Sequence, residues 1–267
     1  MALHDHFESS GAWLFRWRSY LPVFLFGIVL FGMRDFDYPA ETHSGPALWA
    51  FICLGVGLLG LAVRVLTCGY AYPATSGRVT TKQEAESLNS TGMYSVVRHP
   101  LYLGNYLMWL SAALLTQTVW VPLVITLIFW IYYERIMVVE EAFLARKFGA
   151  DFAAWASATP AFVPALGKWR KPACRFNLRR VLRRERSSVL GLAMTFAAFD
   201  LIVGSIARGA PHLDRVWIII VGIALVYYVI MSFEKKHALR QERRTAAMTA
   251  AVQSSSAARA TRRKAAP

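Results

Sequence analysis

The chain has 267 residues, of which 56% are hydrophobic and 17% charged. Soluble domains average about 45–50% apolar and about 25% charged residues, so this composition argues against an ordinary water-soluble enzyme, as does a mean hydropathy of +0.37. Thirty Lys and Arg against sixteen Asp and Glu leave a net charge of +14. Beside so many apolar runs, that excess points to an anionic membrane surface and away from nucleic acid. The three cysteines, Cys53, Cys68 and Cys174, lack a metal-type spacing and an even count for a disulfide framework. They are expected as reduced thiols in or facing a reducing compartment.

In chain order, six stretches are apolar enough to cross a bilayer: 13–33, 47–67, 101–116, 119–139, 189–207 and 216–233. The first follows Arg16 and Arg18 but is succeeded by Asp35, Asp37 and Glu41, with no convincing cleavage site, and is read as a retained helix. Basic residues fall in alternate loops: Arg78, Lys82 and Arg98, then the run from Arg146 to Arg186, then Lys235 to Lys264. The positive-inside rule therefore places both termini in the cytoplasm. The predicted fold is an all-α, polytopic membrane bundle of about six helices. It comprises an N-terminal tail (1–12), a core of four spans with a cytoplasmic segment behind them (13–166), a basic interfacial segment (167–188), an added hairpin (189–233) and a basic disordered tail (234–267). The segment 167–188 holds nine Lys or Arg with Leu178, Val181 and Leu182 at helical spacing, which fits a helix lying on anionic headgroups or a plain basic stop signal.

Two polar clusters stand out. In the first, Arg98 and His99 precede Pro100, a residue suited to the first turn of a helix. Tyr102, Asn105, Tyr106 and Trp109 follow on one helical face. An interface belt of aromatics with a snorkelling arginine explains the same residues. The second cluster ends the fourth span with Glu134, Arg135, Glu140 and Glu141 before a stop at Gly149. The only turn available between these spans is Thr116-Gln117-Thr118. With each arm climbing roughly 25–30 Å, Arg98-His99 and Glu140-Glu141 are brought to the same membrane depth. Such a meeting of cations and anions suits a zwitterionic, water-soluble cofactor at the bilayer edge. Between 150 and 164, Phe152, Trp155, Phe162 and two prolines form a segment too short to span, read as a lid or an interfacial anchor.

The ordered set Tyr94, Arg98-His99-Pro100, Tyr102 and Gly104, then Glu140-Glu141, Leu144, Phe148-Gly149, Phe152, Trp155 and Pro164, resembles a family of integral-membrane methyltransferases. These are the isoprenylcysteine carboxyl methyltransferases and phospholipid methyltransferases. The resemblance covers about residues 88–165, is weak over the first two helices and is absent after Lys168. It implies an S-adenosyl-L-methionine site at the cytoplasmic mouth of the bundle. Arg98, His99, Tyr102 and Gly104 would form one side of that site, and Glu140 and Glu141 the other. On this view Arg98 pairs with the cofactor carboxylate, and a glutamate accepts from its ammonium or ribose hydroxyls. Gly104 admits the cofactor to the helix backbone, while Tyr94 and Tyr102 pack on adenine or face the sulfonium.

Arg135 is the candidate for holding an acidic acceptor headgroup, with a snorkelling arginine as the alternative. The expected partner is a membrane lipid or lipidated acceptor with a carboxylate, phosphate or amine headgroup. The expected location is a bacterial cytoplasmic membrane with the site facing the cytoplasm. Ala158-Thr159-Pro160 lacks the basic residues often found there in prenylcysteine enzymes, which weighs against that acceptor. Helices five and six, with Asp200 in the fifth, are additions to the family's core, and Arg64 near the end of helix two has no assigned role. Two other readings of the sequence are an NADPH-dependent membrane reductase of the sterol-reductase type and a non-catalytic lipid-binding protein.

Overall fold

The computed structural model describes residues 13–14, 21–33, 45–72 and 87–238. The regular elements among them are helices: α1 (Leu21–Gly32), α2 (Gly45–Tyr70), α3 (Met93–Val96), α4 (Pro100–Leu114), α5 (Trp120–Phe148), α6 (Ala150–Ala158), α7 (Leu178–Arg208) and α8 (Arg215–Ala238). A 3-10 turn at Leu166–Lys168 and an antiparallel bridge between Gly92 and Arg170 complete the described structure. Four of the helices, α2, α5, α7 and α8, are long and apolar enough to cross a membrane. Their outer faces carry exposed Phe51, Leu59, Leu127, Ile131, Ile219 and Ile223, the surface that hydrocarbon covers. The chain is a polytopic, helical membrane protein.

Of the six expected spans, the other two correspond to shorter elements. Within 13–33 the described helix is the 12-residue α1, and 101–116 forms the 15-residue α4. The N-terminal tail, the loop residues Arg78 and Lys82, and the chain beyond 238 lie outside the described residues.

Two expected boundaries sit elsewhere. The basic segment and the fifth span share the single 31-residue helix α7, capped by the Asn177 side chain, which accepts from the Arg180 amide at 2.9 Å. Val181, Glu185, Leu192 and Phe196 are buried at helical spacing, so one packing stripe runs through the arginine-rich stretch into the span. Similarly, α8 continues to Ala238, past the expected end at 233. Because α7 starts early, Asp200 lies near its far end, where it accepts the Asp214 amide at 2.9 Å ahead of α8.

The core of the bundle is the α4–α5 hairpin with α1 and α2 against it. Val121, Ile125, Phe129, Tyr133, Ile136 and Met137 form the buried face of α5 and meet Ala112 and Ala113 of α4 and Leu25 and Val29 of α1. The expected turn is present. Thr116 is fully buried, its hydroxyl donates to Ala113 O at 2.7 Å, and Gln117 takes a positive φ of 53°. On the other side of α4, glycine lets two helix backbones touch. A Cβ on Gly60 would stand 2.6 Å from Gly104 O, and a Cβ on Gly104 would stand 2.7 Å from Gly60 O and 2.5 Å from Arg64 Cγ. Small residues at such crossings allow the close approach that drives helix association where solvent is apolar. Gly60→Leu is therefore expected to push α2 off α4 and to cost about 1–3 kcal/mol, read as a lower thermal midpoint in detergent.

Candidate functional site

The polar residues of both clusters meet where α4 begins. Pro100 occupies the first turn of α4 and His99 is its N-cap, so Arg98 and His99 leave a stiff extended turn at a defined angle. Their amides do not join the helix ladder. Arg98 N donates to Pro160 O at 2.8 Å and His99 N to Ala161 O at 3.2 Å. The chain after α5 folds back to provide these acceptors. Gly149 (φ 51°) ends α5, and α6 brings Trp155, whose indole N–H donates to Tyr94 O at 2.9 Å. Farther on, Ala165 N donates to Val96 O at 2.9 Å. Phe162, between these strands of the strap, sits among Tyr106, Phe129 and Trp130, with ring centroids 5.7, 6.5 and 5.5 Å away. The segment 150–165 thus folds back against the turn ahead of α4.

Across from the turn, α5 presents adjacent carboxylates. Glu141 bridges the cationic pair: Arg98 Nη1 donates to Oε2 at 2.9 Å and His99 Nε2 lies 2.8 Å from Oε1. An ionised carboxylate only accepts, so this contact places the proton on Nε2. Glu140 accepts from the Tyr102 hydroxyl at 2.6 Å and stands 3.8 Å from His99 Nδ1. The imidazole is buried and stacks on Tyr102 with centroids 5.7 Å apart and planes 16° from parallel. Arg98 and His99 thus face two adjacent carboxylates, Glu140 and Glu141. The glutamate and arginine side chains keep about a fifth to a quarter of their surface exposed, at 20% for Arg98, 28% for Glu140 and 23% for Glu141. Water-soluble groups can therefore reach them. One donor is left over, since Arg98 Nε is buried without a hydrogen-bond partner.

Of the sequence-predicted residues, Arg98, His99, Tyr102, Glu140 and Glu141 converge. The Tyr94 carbonyl accepts from Trp155, and burial, with the nearby Glu140 charge adding, holds its phenol above the ordinary tyrosine range and so protonated at neutral pH. Gly104 is different. Its open side faces Arg64 and Gly60 of α2, so its role is helix packing and not the approach of a cofactor expected for it. Arg135 lies two residues beyond Tyr133 on α5, about 160° round the helix axis from it.

Residues the sequence did not single out support the site from below. Tyr133, two turns before Glu140 on the same face, packs its ring 4.6 Å from Tyr102 and stacks on Phe129 at 4.1 Å. Its hydroxyl accepts from Asn105 Nδ2 at 3.4 Å. Period-4 spacing from Val121 to Tyr133 was a readable signal for core packing, though not for this support.

These features define a class: an integral membrane protein with a paired-charge, aromatic-lined site at one mouth of a tight helical hairpin. Comparison with known proteins narrows it. The phospholipid methyltransferase family model matches residues 50–151, which contain all of the converging residues. The cobalt-zinc-cadmium resistance protein CzcN of Cupriavidus metallidurans is 31% identical over 188 residues, covering 69% of this chain and 80% of that protein. The nickel-cobalt-cadmium resistance protein NccN of Alcaligenes xylosoxydans xylosoxydans is 30% identical over 196 residues, covering 73% and 85%. The protein-S-isoprenylcysteine O-methyltransferase of Schizosaccharomyces pombe is 28% identical over 117 residues, covering 43% and 48%. No solved structure matches. The chain belongs to the phospholipid methyltransferase and isoprenylcysteine methyltransferase family.

The strap fixes the Arg98-His99 backbone by hydrogen bonds that Trp155 helps to anchor. Trp155→Ala is expected to speed amide hydrogen exchange at Arg98 and His99 about fivefold, for the loss of roughly 1 kcal/mol of local stability. Exchange at the mid-helix α5 amides should not change.

Proposed function

We propose that this protein is an S-adenosyl-L-methionine-dependent methyltransferase that acts in the membrane on an amphipathic, lipid-like acceptor. The observation that carries this reading is the convergence of Arg98, His99, Tyr102, Glu140 and Glu141 at the hairpin mouth, inside the stretch that matches the family. The residues suit the cofactor group by group. Arg98 offers a buried, unpartnered Nε to a carboxylate. Glu140 and Glu141 can accept from an ammonium or from ribose hydroxyls. Tyr102, stacked on His99 and packed on Tyr133, presents an aromatic wall.

When bound, the cofactor supplies a methyl group on a sulfonium sulfur, an electrophile that needs no further activation. The chain's task is then alignment and exclusion of water. In this reading the strap at 160–165, which holds the Arg98 and His99 amides, helps to exclude water, and an acceptor tail enters laterally between helices. A carboxylate or phosphate acceptor requires no general base, whereas an amine must first lose a proton. The topology proposed with this reading has six crossings, including α1 and α4, and both termini in the cytoplasm. It puts the site on the cytoplasmic side of a bacterial membrane, beside basic residues that favour anionic headgroups. Arg135 remains a candidate for an acceptor headgroup arriving along the outer side of α5. The relatives named for metal resistance carry no reaction in their names, and the isoprenylcysteine enzyme does.

Calorimetry on the detergent-purified protein tests the assignment, with S-adenosylhomocysteine and NADPH as parallel titrants. The expected result is micromolar binding of S-adenosylhomocysteine alone, reduced at least about tenfold by Arg98→Ala or Glu141→Ala, which remove charge-assisted hydrogen bonds of about 1.5–3 kcal/mol. Binding of NADPH alone would move the protein to the reductases. Binding of neither would leave a lipid-binding protein.

A further inference from the structure

Below the site, a second polar cluster lies deep in the bundle, and it includes a residue from the added helices. Glu185 of α7 is 1% exposed. Its carboxylate forms a two-pronged pair with Arg64 of α2, with Nε to Oε2 at 2.7 Å and Nη2 to Oε1 at 3.0 Å, and it also accepts from Cys68 Sγ at 3.4 Å. The third prong of the guanidinium, Nη1, donates to Asn105 Oδ1. Arginine has donors only, so it dictates which way the Asn105 amide faces: Oδ1 toward Arg64, leaving Nδ2 to donate to the Tyr133 hydroxyl. The Tyr133 ring in turn supports Tyr102, whose hydroxyl holds Glu140. A continuous set of contacts therefore runs from α7 to the site. Its first member lies outside residues 50–151, the part matched by the family model.

We propose that Glu185 is a positioning residue for the site. By holding Arg64 it fixes the orientation of the Asn105 amide, and through Tyr133 it sets the Tyr102–Glu140 arm. The added helix is then a working part of the enzyme and not an appendage. A stability role alone would need only the ion pair. The geometry does more, because the guanidinium edge that is not used by Glu185 is spent on a residue of the α4 face that lines the site. A carboxylate is suited to this position because it fills both remaining edges of the fork and leaves the arginine one rotamer in which Nη1 reaches Asn105. Glu185→Gln keeps the shape but offers one acceptor oxygen in place of two, which frees the guanidinium to rotate.

The inference rests on the methyltransferase reading for its functional consequence, and the experiment separates the two. In the full-length protein in detergent, Glu185→Gln and Asn105→Leu are each expected to weaken S-adenosylhomocysteine binding about tenfold. The double variant should be no weaker than either alone, since both cut the same chain of contacts. Asp200→Asn, at the other end of α7, should bind as the wild type does. In parallel, the 19F resonance of 3-fluorotyrosine at position 102, identified by its loss in Tyr102→Phe, should shift in Glu185→Gln with no ligand present. Unchanged affinity and an unmoved resonance in Glu185→Gln, with only a lower thermal midpoint, would overturn the inference, as would additive effects in the double variant. If Glu185→Gln does not fold, Arg64→Lys, which keeps the charge but lacks the planar fork that spans Glu185 and Asn105, takes its place with the same expected outcomes. A wild type that fails to bind S-adenosylhomocysteine refutes the methyltransferase reading, and the 19F shift then decides alone whether Glu185 positions Tyr102.

Discussion

Thr116 turns inward with its hydroxyl on Ala113 O, Gln117 accepts a left-handed backbone, and the chain reverses between α4 and α5 with no residues to spare. The consequence is metric. Two helices that leave one short turn and rise at about 1.5 Å per residue return to the same end of the bundle, where His99 and Glu141 face one another across 2.8 Å. A longer loop would have allowed the helices to slide, and the meeting of the charged pairs would have lost its register. The aromatic face of α5, from Phe129 to Tyr133, then fixes the rotation of one helix on the other. Everything proposed for the protein depends on this fixed height.

The resulting site satisfies its own charges. Glu141 holds Arg98 and His99, and Glu140 holds Tyr102, so a ligand with its own carboxylate and ammonium would enter by exchanging partners and not by filling a bare cavity. Exchange of one charge-assisted hydrogen bond for another has little net cost, which favours reversible binding of a zwitterion. The strap keeps the cationic side rigid during such an exchange, because the Arg98 and His99 amides are anchored to Pro160 and Ala161 independently of their side chains.

Beneath the site, the chain tolerates a buried ion pair that a simple bundle would avoid. Removing one partner of such a pair typically costs about 3–5 kcal/mol, while replacing both by apolar residues is often neutral. Stability therefore gives no strong reason for Arg64 and Glu185 to be present. The glycine contact between α2 and α4 supplies the setting: Gly60 and Gly104 bring the backbones together, and the Arg64 side chain passes over Gly104 to reach Asn105. A side chain at 104 would block that path. Gly104 thus serves the site at one remove, by clearing the way for Arg64.

Much of this was legible in the residues themselves. Hydropathy marked the long helices, Pro100 and Gly149 marked a helix start and a helix end, and Thr116-Gln117-Thr118 was the only place for a tight turn. Those features, with the known rise of a helix, were enough to bring Arg98-His99 to Glu140-Glu141, because all are local and one length scale connects them. The boundary at 188 was not legible. Glu185 stands among Arg183, Arg184 and Arg186 and has the local pattern of a solvated basic stretch; only packing against α2 makes it the buried member of a stripe with Val181 and Leu192. The reading of Gly104 changed for the same reason, since it depends on which neighbour occupies the space beside it. Sequence by itself determined the class of fold, the hairpin and the residues at its mouth, through short-range propensity and helix geometry. The tertiary structure alone decided which glycine packs, which acid is buried and how the added helix reaches the site, because those depend on contacts between segments far apart in the chain.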